Sequence, residues 1–316
     1  MAANLKKVGI LTSPKVRSAI FTRIFKEICY TNKPLVDCFT IEMDEASAVD
    51  LVHINRPYAA IPEFITKRSI ITFHDDLTNP QITPEAKQNL ISNLSNCRGV
   101  IVHNSMQYKQ LKTLGFTPKF TIPHGYDELL SAEVREKKTQ RNADKLRPLT
   151  LGMISRSYTN YVKGEHYLTK LAIRLGRPNF NLILVGRDRS FMAQYLKSNG
   201  FNVITLPVLS YPALMNVYSN IDMLLMISGH EGVGAQINES LAAGVPVAAT
   251  QKGSAADLIK NQEDGVILKG DPEEDAISIR DWFSNSKTLA MPNIDRLSSW
   301  SQVGHLYHRA YAEVFN

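Results

Sequence analysis

Short apolar runs alternate with amphipathic stretches along the chain, and this alternation occurs in two blocks. Several runs are nearly continuous in Val, Ile and Leu, as is typical of parallel strands covered on both faces. The pattern predicts strands at 7–11, 35–41, 50–54, 69–73, 99–103, 120–122, 149–154, 181–185, 202–206, 223–227 and 245–249. Strand–helix alternation of this kind predicts an α/β fold of two Rossmann-like, doubly wound domains that face each other across a cleft.

Helical stretches between the strands and one polar segment define the predicted organisation. Helices are predicted at 14–30, 84–96 and 105–114, and Ser13 with Pro14 forms a suitable start for the first. Residues 131–147 are polar, charged and poor in apolar side chains, which favours a linker. The predicted domains are therefore 1–130 and 148–297, joined by the linker 131–147. A helix at 298–316 is expected to pack back on the first domain.

Composition and cysteine usage narrow the class of protein. Apolar residues make up 44% of the 316 positions and charged residues 21%, which is enough apolar surface for a folded core. The three cysteines have no CxxC spacing, which fits a reduced, cytosolic chain. No apolar run approaches the ~20 residues of a membrane span, and the first residues do not resemble a signal peptide. We therefore expect a cytoplasmic protein, either free or peripheral at a membrane.

The net charge is concentrated in the first half of the chain. Residues 1–146 carry 20 Lys and Arg against 15 Asp and Glu, while the other 170 carry 16 against 15. This excess indicates an anionic partner, such as membrane headgroups, nucleic acid or a charged substrate. A lysine-rich surface that serves only solubility is equally compatible with these numbers.

Several common catalytic motifs are absent from the sequence. There is no GxxxxGK[ST], GxSxG or HExxH, which argues against a P-loop NTPase, an α/β-hydrolase and a zincin. The nearest approach to GxGxxG, at 232–237, lacks the third glycine. No Asp-x-Asp occurs, so no carboxylate pair suited to a metal–diphosphate complex is present, and no metal site is predicted.

The segment 222–250 carries the clearest chemical signal. A buried strand ends near Ser228, a glycine-rich turn follows, and a helix is predicted from about Gly234 to Gly244. Free backbone N–H groups at such a helix start can bind phosphate or sugar oxygens. Glu231 and Glu239 would lie roughly 12 Å apart along the helix axis, too far for a glycosidase carboxyl pair. They could hold two parts of one elongated polar ligand, or Glu231 could cap the helix while Glu239 lies in solvent.

At this point the sequence resembles a known family. The spacing from Glu231 to Glu239 is similar to the E-x7-E signature of retaining, nucleotide-sugar-dependent glycosyltransferases of family 4, which have the GT-B architecture. Ser155-Arg156 followed by Lys163-Gly164 resembles the Gly-Arg and Lys-Gly pair of that family. Residues 182–186 look like the family's strand that ends at the nucleotide. The resemblance extends over about 149–270 and is thin over 1–130.

The resemblance implies a role for each matching residue. Arg156 and Lys163 would neutralise the donor diphosphate and stabilise the departing nucleotide without a metal. Glu231 would hold hydroxyls of the transferred sugar, and His74, from the first domain, would reach the same sugar. These four are the implied catalytic residues. Implied donor contacts are Gly186, Val208 beside the base, the backbone amides of Gly232, Val233 and Gly234, and Glu239 at the ribose.

The implied activity is transfer of a hexosyl or related sugar, with retained anomeric configuration, from a nucleotide-sugar donor. UDP and GDP are the expected nucleotides, the donor is a substrate and no cofactor is expected. The expected acceptor is a hydroxyl on a glycan or a lipid-linked saccharide, which would make an anionic, membrane-associated partner. Two alternatives stay open: a glycosyltransferase acting on DNA bases, and a non-catalytic sugar-nucleotide-binding scaffold. Ser155 and Asp188, where the family usually has glycine, favour the scaffold alternative.

Overall fold

The computed structural model describes residues 5–12, 19–31, 34–55, 65–142, 148–176, 180–285 and 291–316. The chain divides into two compact units. Unit 1 comprises Met1–Gly125 with Ser298–Asn316, and unit 2 comprises Tyr126–Leu297. Each unit contains a six-stranded parallel sheet with helices in the crossover connections. The predicted α/β, Rossmann-like fold is therefore confirmed.

Unit 1 is built on a sheet in the spatial order β2-β1-β3-β4-β5-β6. Its strands are β1 (Lys7–Leu11), β2 (Asp37–Ile41), β3 (Leu51–Ile54), β4 (Ser69–Thr72), β5 (Gly99–Val102) and β6 (Phe120–Thr121). Its helices are α1 (Ala19–Cys29), α2 (Pro84–Asn96), α3 (Ser105–Thr113) and α11 (Trp300–Phe315), with a 3₁₀ helix at Met43–Ala48. The predicted residues Ser13 and Pro14 lie outside the described part of the chain.

Helix α11 completes the core of unit 1. It begins with a capping box, in which the Ser299 hydroxyl accepts from the Gln302 amide and the Gln302 side chain accepts from the Ser299 amide. Its apolar side chains join one core cluster with residues of β1, β4 and β5. The buried α11 residues of that cluster are Trp300, Val303, Tyr307, Ala310, Tyr311 and Val314. Residues far apart in the sequence thus form one core.

Unit 2 has the strand order β10-β9-β8-β11-β12-β13. Its strands are β8 (Leu149–Ile154), β9 (Phe180–Val185), β10 (Asn202–Leu206), β11 (Met223–Met226), β12 (Val247–Thr250) and β13 (Gly265–Leu268). Its helices are α4 (Glu128–Asn142), α5 (Glu165–Leu175), α6 (Ser190–Ser198), α7 (Tyr211–Tyr218), α8 (Ala235–Ala242), α9 (Ala255–Leu258) and α10 (Pro272–Asn285). Two-residue strands, β7 (Gly125–Tyr126) and β14 (Ser298–Ser299), lie where the chain passes between the units. In sheets of this order, ligands bind outside the carboxyl ends of the strands where the order reverses, here between β8 and β11.

The linker expected at 131–147 is wrong over the part that the structure describes. Residues 128–142 form α4, and the side chain of Val134 belongs to a core cluster of unit 2. On the same helix the Lys138 ammonium and the Arg141 guanidinium lie 3.1 Å and 2.8 Å from one oxygen of Asp222, which is fully buried. The polar composition therefore reflects ion pairing with a buried carboxylate, which a composition argument does not detect. All eleven predicted strands agree with the structure to within two residues at each end.

Candidate functional site

The loop after β8 is held in place from beneath by a buried cation. Arg189, only 1% exposed, donates from Nε to the Ser155 carbonyl (2.8 Å) and from Nη2 to the Ser155 hydroxyl (2.6 Å) and the Arg156 carbonyl (3.1 Å). Its Nη1 lies 3.5 Å from Glu165 Oε1. Burial lowers the pKa of Arg189, and the carboxylate of Glu165 opposes that change. The loop backbone is fixed, while the Arg156 side chain is exposed and stacks its guanidinium 4.1 Å from the Tyr158 ring centroid.

Gly186 follows β9 and lies directly against this loop. Its φ is 128°, and a Cβ there would collide with the Ser155 carbonyl and the Arg156 amide. Only glycine permits that approach without displacing the loop. Asp188, where the resemblance expects a glycine, itself adopts a left-handed conformation with φ 63°. Aspartate tolerates this region better than most residues, so the departure preserves the backbone path.

Lys163 and Glu231 come together at the carboxyl end of β11. The Lys163 Nζ lies 2.5 Å from Glu231 Oε2, and the Ser228 hydroxyl lies 3.4 Å from the same oxygen. Both charged side chains are mostly buried, at 17% and 14% exposure. Gly164, at φ 84°, lies directly against the residue that follows β11. A Cβ at this position would collide with the Ile227 carbonyl, so the close approach of the loop requires glycine. Two predicted site residues from distant loops thus form one charge pair.

The turn that follows Glu231 leads into α8 as the sequence predicted. Gly232, Val233 and Gly234 form the turn, and α8 begins at Ala235. The amide of Ser254 donates to the Val233 carbonyl (2.9 Å), which fixes the turn against the segment after β12. The N-terminus of α8 contributes a positive partial charge beside the carboxylate of Glu231.

Glu239 is buried within α8 rather than exposed to solvent. Its exposure is 8%, and the Tyr218 hydroxyl at the end of α7 donates to Glu239 Oε2 at 3.2 Å. Burial and the Glu239 charge raise the pKa of Tyr218 well above its usual value, so the hydroxyl keeps its proton and remains a donor. The alternative of a solvated helix residue is therefore wrong for Glu239. Val208, after β10, is 68% exposed.

His74 lies in unit 1, in a row of polar groups at the carboxyl ends of β3, β4 and β5. His74 Nδ1 is 3.0 Å from His103 Nε2, and His74 Nε2 is 3.1 Å from the Asn55 amide oxygen. His103 Nδ1 is 2.9 Å from the carbonyl of Ile122, an acceptor only, so that nitrogen carries the proton. Burial lowers the pKa of His103 to about 4, and the neutral ring then accepts from His74 Nδ1–H.

This arrangement fixes the tautomer of His74. With its Nδ1 proton held by His103, the free lone pair of a neutral His74 is on Nε2, facing Asn55. In the described orientation, the Asn55 amide oxygen faces His74 Nε2 and can accept a hydrogen bond from a protonated His74. If the amide is rotated by half a turn, its NH₂ group faces Nε2 and donates to a neutral His74. His103 and Asn55 were not among the predicted site residues, and neither were Arg189 and Tyr218. Each acts through a tertiary contact that no local sequence pattern signals.

No group of three or more His, Cys, Asp or Glu side chains in the described ranges is arranged to hold a metal ion. Among the helices of those same ranges, none combines the length and apolar character that crossing a bilayer would require.

The fold and this site define an α/β protein whose charged and polar side chains gather at the carboxyl ends of the strands of a Rossmann-like unit. The family model described as "Glycosyl transferases group 1" matches residues 134–293, about half of the chain. The chain therefore belongs to the group 1 glycosyl transferases, which transfer a sugar from a nucleotide-sugar. No curated protein sequence matches the chain.

Solved structures of similar fold span nearly the whole chain at low sequence identity. Sucrose-phosphate synthase (tll1590) from Thermosynechococcus elongatus has a TM-score of 0.76 at 16% identity, covering 98% of this chain and 99% of that one. Anabaena Alr3699/HepE in complex with UDP and glucose has a TM-score of 0.70 at 16% identity, with the same two coverages. WaaG, a glycosyltransferase involved in lipopolysaccharide biosynthesis, has a TM-score of 0.65 at 15% identity and covers 97% and 95%. These likenesses confirm the GT-B fold class.

Proposed function

We propose that the protein is a retaining, metal-independent glycosyltransferase of family 4 type. It moves a hexosyl or related sugar from a nucleoside-diphosphate donor to a hydroxyl of a glycan or a lipid-linked saccharide. The family match supports sugar transfer from a nucleotide-sugar, and the geometry of unit 2 supports the donor chemistry. The retaining outcome and the acceptor class rest on the sequence resemblance and are the parts that experiment must decide.

The observation that carries the proposal is the pair formed by Lys163 and Glu231, 2.5 Å apart at the end of β11. It sets a cation beside a carboxylate in a mostly buried position, next to the amides of Gly232 and Val233. A sugar diphosphate offers matching groups side by side: phosphate oxygens for the cation and ring hydroxyls for the carboxylate. One ligand of this class satisfies both charges at once.

The proposed mechanism uses the positive groups to stabilise the leaving nucleotide. Arg156 and Lys163 neutralise charge that develops on the diphosphate as the bond to the anomeric carbon breaks. The acceptor oxygen attacks that carbon from the face the nucleotide leaves, and its proton passes to the departing phosphate oxygen. Glu231 orients the sugar during this step. The product keeps the donor's anomeric configuration, and no metal is required for charge neutralisation.

The remaining predicted residues hold the ends of the donor. Glu239 accepts from ribose hydroxyls, and the Tyr218 hydrogen bond orients its carboxylate for that contact. Val208 packs beside the base, Gly186 keeps the loop of Arg156 close, and the amide of Gly234 adds a donor at the start of α8. His74, whose tautomer is set by His103, is the residue of unit 1 to which the sequence resemblance assigns a role at the transferred sugar.

Nucleotide binding tests the donor part of the proposal. We expect one of UDP, GDP, ADP, CDP and dTDP to raise the melting temperature, since a ligand at 100 times its Kd adds about 2.7 kcal/mol of stability. Because the Anabaena protein binds UDP, UDP is the first choice. Glu239→Gln should lose the rise, whereas Glu263→Gln, at an exposed position, should keep it. No response to any nucleotide would contradict the donor assignment.

Turnover separates an enzyme from a scaffold. Consumption of the donor in the presence of the protein measures turnover. NMR of the anomeric proton of the product should show that the configuration of the donor is retained. Lys163→Ala should slow transfer by about 10²–10³-fold, as for the loss of one transition-state charge contact, and the exposed Lys170→Ala should not. Nucleotide binding without any donor turnover would favour the scaffold alternative. Inverted product would refute the retaining mechanism, and transfer to DNA but not to saccharides would refute the proposed acceptor.

A further inference from the structure

Two cysteines of unit 1 face each other across a helix–strand contact. Cys29 is the last residue of α1, and Cys38 lies on β2, the edge strand of the sheet. Their sulfur atoms are 4.0 Å apart, which is S–H···S contact distance. Both are free thiols, and no role in sugar transfer involves them.

A surface pocket gives small molecules access to this pair. Its volume is about 260 Å³, and both cysteines line it together with Lys7, Val36 and Asp37. Cys29 is partly exposed, whereas Cys38 is 9% exposed. Both cysteines thus line one surface pocket, and Cys29 is the more exposed of the two.

The contact makes the two thiols chemically unequal. The Cys38 thiol donates a hydrogen bond that stabilises the Cys29 thiolate, and this lowers the pKa of Cys29 against the opposing effect of burial. The same hydrogen bond and burial raise the pKa of Cys38. A thiolate is the nucleophile in thiol–disulfide exchange, so attack by Cys29 comes first.

We propose that Cys29 and Cys38 form a reactive dithiol that undergoes thiol–disulfide exchange with a low-molecular-weight disulfide and closes to an intramolecular disulfide. The Cys29 thiolate attacks one sulfur of the small disulfide, forms a mixed disulfide and releases one thiolate. Cys38 then loses its proton, attacks the Cys29 sulfur and releases the second thiolate. The two cysteines are oxidised, and one small disulfide is reduced to two thiols.

The third cysteine supplies an internal control. Cys97 is buried, and its thiol lies 3.3 Å from the carbonyl oxygens of Leu94 and Gly99. Burial raises the pKa of Cys97 to about 11. It does not line the pocket, and it should stay reduced under conditions that oxidise the pair. The proposal does not depend on the glycosyltransferase function.

The test is a titration of the full, folded chain in glutathione buffers of increasing disulfide content, followed by acid quench, alkylation and peptide mapping. We expect the alkylation of Cys29 and Cys38 to decrease together as the disulfide content rises, and the two to appear in one cross-linked peptide pair, while Cys97 remains open to alkylation. The wild-type protein is sufficient for this measurement. A Cys29–glutathione mixed disulfide that persists with Cys38 free, oxidation of Cys97 in parallel, or no oxidation would each overturn the proposal.

Matched variants assign the order of attack. Cys38→Ser should stop at the mixed disulfide on Cys29, Cys29→Ser should leave Cys38 reduced, and Cys97→Ser should titrate as the wild type does. Melting curves before titration verify that each variant is folded. As a readout independent of oxidation, phenylarsine oxide, which bridges two adjacent thiols, should protect Cys29 and Cys38 from alkylation in the wild type and in Cys97→Ser. Protection that survives Cys38→Ser would count against a dithiol.

Discussion

Arg189 is the largest fully buried side chain by volume among the described residues, and it fixes the loop that carries Arg156. Its three hydrogen bonds go to backbone and hydroxyl groups of that loop, and its nearest carboxylate is Glu165, 4% exposed. A buried cation with fixed acceptors sets the geometry of the loop that carries Arg156. Arg187, two residues earlier, is exposed, so the run Arg187-Asp188-Arg189 could not reveal from sequence which arginine turns inward.

Replacing Arg189 should cost far more than replacing its neighbour. Arg189→Met leaves the buried Glu165 without its cation, and we expect the free energy of unfolding of unit 2 to fall by about 3–5 kcal/mol. Arg187→Met should change it by less than about 0.5 kcal/mol. Urea denaturation, followed by Trp282 fluorescence in a Trp300→Phe background, measures both.

A second substitution checks the cause. Glu165→Gln combined with Arg189→Met should recover part of the loss, because the uncompensated charge is gone. Equal costs for the two arginines, or no recovery in the double variant, would show that Arg189 is not what neutralises Glu165.

At the scale of elements, strands were predictable and α4 was not. The central strands, such as β3, β5 and β11, consist of nearly continuous apolar residues that are buried throughout, and a short apolar run of this kind is typical of a parallel strand covered on both faces. Helix α4 buries few apolar side chains, among them Val134, and its contacts with Asp222 depend on a residue about 80 positions away. The ion pairs of Lys138 and Arg141 with Asp222 therefore hold α4 against unit 2. The spacing of Glu231 and Glu239 could be recognised from the sequence because both lie within nine consecutive residues, whereas Tyr218 and His103 act through contacts with residues far away in the sequence.

A proline in the middle of α4 distinguishes a helix from a linker. Glu136 is exposed, so its side chain contributes little to packing. Glu136→Pro removes a backbone donor and clashes with the carbonyl of Ala132, and we expect a loss of about 3 kcal/mol or more in unit 2. Glu136→Ala should be within about 0.5 kcal/mol of the wild type. The same Trp282 fluorescence assay applies. A proline variant as stable as the alanine variant would mean that this segment behaves as a linker.

At the scale of the whole molecule, acid should act on unit 1 through its buried histidines. Among the described residues of unit 1, four buried histidines have pKa values that desolvation lowers: His53 to about 3, His103 to about 4, His124 to about 3, and His308, whose pKa is also below its usual value. In the unfolded chain their pKa is about 6.5. Between these values the unfolded state binds more protons than the folded state, so acidification favours unfolding.

Unit 1 should therefore lose stability as the pH falls from 7 to 5. Each histidine contributes no more than about 1.4 kcal/mol per unit of pH below 6.5, and its share of the slope ends near its folded pKa. Urea unfolding followed by Trp300 fluorescence, in a Trp282→Phe background, measures the slope. His53→Gln, which keeps hydrogen-bonding atoms toward Thr72 and Tyr311, should reduce it by one histidine's share. A flat profile between pH 7 and 5 would contradict the neutral burial of these rings.

The division of the core of unit 1 between distant parts of the sequence has a consequence for biosynthesis. A ribosome releases Val8, Ile10 and Ile70 long before it reaches Trp300 and Tyr311, which cover them in the finished protein. All of Tyr126–Leu297 is translated in between, on the order of 10–30 s at ~5–20 residues per second. During that interval unit 2 can finish folding while the sheet of unit 1 keeps an uncovered apolar face. Until α11 emerges from the exit tunnel, we expect the nascent chain to expose apolar surface of the kind that holdase chaperones bind.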